Sequence, residues 1–162
     1  MIFFGFKHPY RTHGRINQQN TKITTIDTKH NFIVNEDLGI FLTQIKKTAL
    51  NNNWKKNTSL INLTNKPGIT FCLSAKIITV PWLLGAYDGS DNWVVSMINR
   101  YQKFHNINES WIITNDDPHN KLSTNILDRI DLDLSANYQK IEIPNLHEPY
   151  TGYTIWKPIK NQ

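Results

Sequence analysis

Hydrophobic and polar positions alternate along this chain with two different periods. Apolar side chains recur at three-and-four spacing over residues 36–49, which predicts a helix with one buried face. Asn35 is placed to cap that helix, and Glu36 and Asp37 fall in its positive first turn. Shorter runs rich in β-branched residues predict strands at residues 22–26, 59–63 and 76–80. The first half of the chain therefore mixes both kinds of element.

The second half continues the same alternation. Apolar runs predict strands at residues 110–114, 138–143 and 152–158. Helices are predicted over residues 67–75, where Pro67 fits a first helical position, and after Ser90 and Ser123, since serine is a favoured cap. Strands and helices thus follow one another through most of the sequence.

Strands that alternate with amphipathic helices imply crossover connections and a parallel sheet. We therefore expect an α/β fold: a Rossmann-like three-layer sandwich with a mostly parallel sheet covered by helices on both faces. The connection over residues 145–152 contains no helix, which allows the C-terminal strand to pair antiparallel at the edge of the sheet. We expect residues 1–20 to form a polar, basic N-terminal arm and residues 21–162 to form a single α/β domain.

Composition narrows the class of protein. A chain of 162 residues with 39% hydrophobic and 19% charged residues is typical of one globular domain. No run approaches the roughly 18 apolar residues that a membrane helix needs. Cys72 is the only cysteine, which excludes an intramolecular disulfide and a cysteine-based zinc site.

The net charge of +5 raises the question of nucleic acid. Basic residues are spread along the chain, and their densest group, around Lys7, Arg11 and Arg15, lies in the N-terminal arm. Nucleic-acid binding needs basic side chains gathered on one face, so we expect no nucleic-acid partner.

Candidate ligand-binding residues lie in three loops, at residues 64–68, 81–91 and 115–119, because ligands of open α/β sheets bind beyond the carboxyl ends of the strands. These candidates are Lys66, Gly68, Trp82, Tyr87, Asp88, Ser90, Asp91 and Asp116. Glycine and helix starts suit an anion, aspartates suit a metal or acid–base chemistry, and Trp82 and Tyr87 suit stacking against a sugar. Ordinary turn and cap geometry explains the same residues without any ligand.

Motifs for catalysis are missing from these loops. Neither G-x-G-x-x-G nor G-x-x-x-x-G-K-[ST] occurs, the neighbours of Ser90 do not form a nucleophile elbow, and the six histidines lack metal-ligand spacing. We therefore predict no catalytic residue, no metal site and no cofactor, and a non-catalytic role is favoured for this chain alone.

Five segments, in this order, resemble the soluble C-terminal domain of a poorly characterised group of polytopic bacterial membrane proteins, which are themselves similar to membrane-embedded glycosyltransferases that use lipid-linked sugars. The segments are residues 8–11, 60–68, 81–90, 110–114 and 156–158. The resemblance implies an extracytoplasmic accessory or recognition domain, attached to a membrane-embedded region that houses the transferase chemistry. Asn65 and the pair Ser74 and Ala75 stand where related proteins more often have glycine.

Two functions remain open at this point. The first is a recognition domain of a cell-envelope membrane protein that binds a glycan, a lipid head group such as that of a lipid-linked sugar, or a protein partner. Its partner would be a membrane-embedded region, and it would lie on the extracytoplasmic face. The alternative is a free-standing small α/β enzyme, or a nucleotide- or phosphate-binding protein, that uses the loops after the strands and resides in the cytoplasm.

Overall fold

The protein has a mixed α/β structure. A computed structural model describes residues 16–80, 83, 85, 87–118, 122 and 125–159. The strands are β1 (Thr21–Thr24), β2 (Asn31–Val34), β3 (Ser59–Asn62), β4 (Lys76–Ile77), β5 (Trp111–Thr114), β6 (Tyr138–Glu142) and β7 (Thr154–Pro158). The helices are α1 (Glu36–Asn51), α2 (Pro67–Cys72), α3 (Ser90–Gln102), α4 (Ile126–Arg129) and α5 (Leu134–Asn137), with 3₁₀ turns at Ile16–Gln18 and Ile107–Glu109.

Helix α1 confirms the strongest local prediction. The side-chain oxygen of Asn35 accepts a hydrogen bond from the Leu38 amide at 3.0 Å, so the cap forms as expected. Phe41, Leu42 and Ile45 are fully buried on the apolar face that the spacing indicated. This helix is a rigid support for the elements on either side of it.

A β-hairpin that the sequence did not predict precedes α1. Strands β1 and β2 pair antiparallel, with Thr21 opposite Val34. The hairpin packs on α1 so closely that a Cβ atom on Gly39 would overlap the side chain of Thr21. The sequence does not predict strand β2, because only three apolar residues, Phe32 to Val34, mark it, and these are too few to establish a period.

The main sheet has five strands in the order β4-β3-β5-β7-β6. Strand β3 pairs parallel with β4 and with β5, whereas β7 pairs antiparallel with β5 and with β6. The pairings therefore divide equally, and the expected mostly parallel sheet is a mixed one.

The last strand is antiparallel, but it is not at the edge, where we expected it. Strand β7 inserts between β5 and β6, and β6 forms the edge with exposed Gln139 and Lys140. The physical reason lies in β6, whose exposed Gln139, Lys140 and Glu142 suit an edge, where charged side chains discourage pairing with a further strand.

Each face of the sheet contributes to its own hydrophobic cluster. Leu60 and Ile113 pack with Phe41 of α1 on one face. Ile61 and Ile112 pack with Val94 of α3 on the other. Alternate residues of the same strands thus face opposite ways, and helices meet both faces.

Some element boundaries differ from those predicted. Helix α2 ends at Cys72 rather than residue 75, because Ser74 adopts a positive φ of 46° that stops the helix. Strand β4 has only two residues. Ser90 is the first residue of α3 and not its cap, since Gly89 takes the cap position with a φ of 79°. The predicted cap Ser123 lies outside the described residues.

None of the helices in the described part of the chain has the length and apolar character needed to cross a membrane.

Candidate functional site

The sheet has a topological switch point between β3 and β5. The chain leaves β3 through α2 to reach β4 on one side, and α3 then carries it back past β3 to β5 on the other. The Leu63 amide donates to the Ile113 carbonyl at 2.9 Å, which keeps the ends of the two strands together. Loops that leave neighbouring parallel strands in opposite directions open a crevice, which is where such sheets bind ligands. We call this the carboxyl edge.

Asn62 closes the β3 side of the carboxyl edge with a satisfied network. Its side-chain NH₂ donates to the Lys66 carbonyl at 3.1 Å and to the Thr70 hydroxyl at 3.2 Å. Its side-chain oxygen accepts from the Thr64 hydroxyl at 2.7 Å and from the Thr64 amide at 3.2 Å. The residue is 1% exposed, and all of these bonds are internal. Asn62 therefore shapes the loop and has a structural role.

Asn115, the first residue after β5, behaves differently. It is 7% exposed, and both polar atoms of its amide are buried without a hydrogen bond of good geometry to any described residue. The amide does lie close enough to the Tyr153 hydroxyl to lower the pKa of that group. A buried amide without partners is costly, and native proteins retain one where something else uses it. Asn65, in the β3 loop, likewise has a buried side-chain oxygen without a partner in the described structure.

Two tyrosines lie just before β7, on the side of β5 away from β3. Tyr150 stacks on Phe41 at 4.6 Å between ring centroids, and Tyr153 meets the same ring edge-on at 4.6 Å. Burial is the main cause that raises the pKa of Tyr153, to about 12, and nearby Asp117 raises it further. Both phenols therefore stay neutral at physiological pH and can donate hydrogen bonds.

Lys66, a predicted site residue, does lie at the carboxyl edge. Its ammonium is 5.5 Å from the centroid of the Tyr150 ring, a distance suited to a cation–π contact. The Lys66 amide donates to the Thr64 hydroxyl at 3.2 Å, which fixes the backbone of this loop. The half-buried side chain thus spans the gap between the β3 loop and the segment before β7.

Asp116, another predicted site residue, lies in the loop that follows β5. Its amide donates to the Gly152 carbonyl at 3.2 Å. A Cβ atom on Gly152 would come within 3.3 Å of the Asp116 Cβ, and the φ of Gly152 is 78°. Glycine is therefore needed here, both for the turn and for the close approach of the two loops. The Asp116 side chain is exposed.

The remaining predicted residues gather at the start of α3. Tyr87 is 63% exposed, Asp88 is exposed, and Ser90 and Asp91 are half-buried in the first turn. A crossover helix runs back antiparallel to its strands, so this turn belongs to the carboxyl edge. One turn further on, Trp93 is 54% exposed, a second accessible aromatic ring that the sequence did not single out. Trp82 lies outside the described residues.

No close approach or unusual backbone conformation requires a glycine at position 68. A Cβ atom there would make ordinary contact with Leu42 at 3.6 Å, and α2, with only six residues, presents a weak dipole. Gly68 instead borders a cavity of about 730 Å³ between the hairpin, α2 and β4, whose walls include Phe32 and Phe71. Asp27 in that cavity is engaged by the Thr25 hydroxyl at 2.6 Å, so its carboxylate is already used.

Groups capable of metal binding or nucleophilic chemistry are sparse in the described part of the chain. No cluster of three histidine, cysteine or acidic side chains occurs there. Cys72 is fully buried, and desolvation raises the pKa of its thiol to about 11 despite the nearby charge of Lys46. The thiol is therefore a packing group.

The chain matches no protein-family model, and comparisons with curated proteins and with solved structures give no significant match. Function is therefore argued from the chemistry of the site, since an α/β fold by itself accommodates many activities.

Proposed function

We propose that this protein is a non-catalytic recognition domain of a cell-envelope membrane protein, and that its carboxyl edge binds the sugar of a glycan or of a lipid-linked saccharide. In this proposal the α/β fold is a Rossmann-like scaffold whose switch point holds the ligand. The membrane-embedded partner and the extracytoplasmic location come from the resemblance of the sequence segments, and they belong to the same proposal.

The observation that carries the proposal is the buried amide of Asn115, which makes no hydrogen bond of good geometry to any described residue. An amide offers two N–H donors and a carbonyl acceptor side by side, which matches the adjacent hydroxyl groups of a sugar ring. The Tyr153 hydroxyl lies beside it, and the Asn65 side-chain oxygen belongs to the neighbouring loop. A ligand that supplies both donors and acceptors would satisfy all three groups.

The charge of the carboxyl edge favours a neutral ligand. The loop after β5 carries Asp116 and Asp117, against Lys66 in the loop after β3. Asp91 adds negative charge to the first turn of α3, where it offsets the positive end of the helix dipole. A phosphate or nucleotide would meet net negative charge here, so the amides and hydroxyls of this edge support a sugar better than the alternative.

Exposed aromatic rings supply the second element of sugar recognition. Tyr87 and Trp93 stand on the rim at the start of α3, 63% and 54% exposed. The apolar face of a sugar ring packs on such side chains while its hydroxyl groups bond to polar neighbours. The predicted role of Tyr87 as a stacking residue is retained in this proposal.

Titration calorimetry with a panel of neutral hexoses, N-acetylhexosamines and hexuronic acids tests the proposal. We expect neutral sugars to bind, Asn115→Ala to weaken them at least about tenfold, and Tyr87→Ala to weaken them by a similar factor. Asn99→Ala and Phe104→Ala are matched controls, because both residues are exposed on or after α3, away from its first turn. Nucleotide binding stronger than that of every sugar, and lost in Asn115→Ala, would place a nucleotide at this edge and contradict the proposal.

A further inference from the structure

A concave basic surface lies along the C-terminal half of α1. The carboxyl edge is nearer the other half of the helix, where Phe41 contacts Tyr150 and Tyr153. The basic surface is a pocket of about 400 Å³ between β1 and the C-terminal half of the helix. Three lysines border it, Lys22 from the strand and Lys46 and Lys47 from the helix, and none of its lining residues is acidic. We call it the lysine pocket.

Among the described residues, these three ammonium groups have no acidic partner. In the described structure, ion pairs join Lys56 to Asp27 and Lys140 to Glu142, and no acidic side chain comes within 4.0 Å of the three lysines. The acidic residues of α1, Glu36 and Asp37, are at its other end. Like charges held close together repel one another, so the arrangement costs stability unless an anion reduces the repulsion.

One of the lysines is held in place. The Lys46 ammonium donates to the Thr24 carbonyl at 2.7 Å, and its side chain is half-buried. An ammonium has three N–H donors, so two remain for a ligand. Lys46 is thus a fixed charge in the wall, whereas Lys22 and Lys47 are exposed on either side of it.

The carbonyl groups at the negative end of α1 repel a bound anion only weakly, because they already accept hydrogen bonds. The Thr48 carbonyl accepts from the Asn52 side chain at 2.8 Å, the Ala49 carbonyl from the Asn52 amide at 3.0 Å, and the Leu50 carbonyl from the Asn53 amide at 3.1 Å. These carbonyls are already satisfied, so a ligand in the pocket meets the lysines first.

We propose that the lysine pocket binds a phosphate monoester through Lys22, Lys46 and Lys47. A phosphate dianion has more acceptor oxygens than a carboxylate, so it can bond to several of the lysines that line the pocket at once. The group belongs either to a small soluble phosphate compound or to the head group of an anionic lipid. The site is separate from the carboxyl edge and does not depend on the sugar-binding proposal.

The test uses the full chain with two probes. Binding of inorganic phosphate is measured by calorimetry. Binding to phosphatidylcholine vesicles that contain phosphatidic acid is measured by co-sedimentation. The variant is Lys22→Gln with Lys47→Gln, which leaves the structural bond of Lys46 intact. Its matched control is Lys55→Gln with Lys103→Gln, which removes the same charge from exposed positions outside the pocket. Circular dichroism and thermal melting check that both variants are folded.

We expect the pocket variant to bind phosphate about tenfold more weakly and the control to differ less than twofold. Binding of both probes identifies a soluble phosphate compound as sufficient, and binding of the vesicles alone identifies a lipid head group; both results support the site. Equal weakening in the two variants would show a response to net charge only, and it would overturn the proposal, as would failure to bind either probe.

Discussion

Two buried asparagines lie at the ends of neighbouring strands, and replacing them is expected to lower the stability by very different amounts. Asn62 is the last residue of β3 and Asn115 is the first residue after β5, and they are 1% and 7% exposed. Replacing each with alanine removes the same amide and leaves a cavity of similar size. Any difference in the free energy of unfolding between the two variants therefore reports on hydrogen bonding.

The magnitude follows from the bonds that each amide makes. Asn62 makes at least four, to the Lys66 carbonyl, the Thr70 hydroxyl and both polar groups of Thr64, and each is worth about 1 kcal/mol net. Asn62→Ala should therefore lower the free energy of unfolding by about 4 kcal/mol. Asn115→Ala removes an amide whose burial costs about 1–3 kcal/mol, which offsets the lost packing, so the expected change is about 0–1 kcal/mol.

Equilibrium unfolding in urea, followed by tryptophan fluorescence, measures both values, because Trp54 and Trp111 are buried in the native core. A gap of about 3 kcal/mol corresponds to more than about 100-fold in the unfolding equilibrium, well above the error of the extrapolation. Equal destabilisation by the two substitutions would refute the reasoning, since it would mean that the Asn115 amide is as fully bonded as that of Asn62.

Three further predictions concern single sites. Gly152→Ala should destabilise the protein by about 1 kcal/mol more than Gly89→Ala, because both glycines have a φ near 78° but only at Gly152 would the new Cβ approach Asp116; urea unfolding compares them. The Asp27 pKa is lowered to about 2, chiefly by the Thr25 hydroxyl, so its contribution to stability is complete above pH 4 and is lost as the pH falls towards 2. Asp27→Asn should therefore unfold with less dependence on pH between 4 and 2, and an unchanged slope would contradict this. The Cys72 thiol should resist a thiol reagent at pH 8 in the folded protein and react on unfolding, since its pKa is raised to about 11.

Local features of the fold were predictable from the sequence. The cap and apolar face of α1 are set by residues within one or two turns of each other, so Asn35 and Phe41 were placed correctly. The position of β7 was not predictable, because its insertion between β5 and β6 depends on pairing between distant segments. Strand β2 is too short to show a period, and its pairing with β1 is likewise decided by packing on α1.

The candidate site at the carboxyl edge was likewise only partly predictable from the sequence. The rule that ligands bind beyond strand ends pointed to the loops that carry Lys66 and Asp116, and both loops meet at the switch point. Lys66 and Asp116 are predicted there because charge is visible in a sequence, and Gly68 is predicted because a glycine at a helix start suits an anion. The sequence does not single out Asn115, because an asparagine after a strand is typical of a turn. That its amide is buried without a hydrogen bond to the described residues is visible only in the folded chain.

The side-chain amide of Asn115 can be observed directly by nuclear magnetic resonance, and this measurement tests the central claim most sharply. With ¹⁵N-labelled protein, the two N–H signals of Asn115 are assigned by their loss in Asn115→Ala and followed during titration with the neutral sugars. The proposal predicts that both signals move in proportion to saturation, while those of Asn62, whose NH₂ is already bonded, stay in place. Sugar binding that leaves the Asn115 signals unmoved, or no binding at all, would contradict the claim that this amide is held for a ligand.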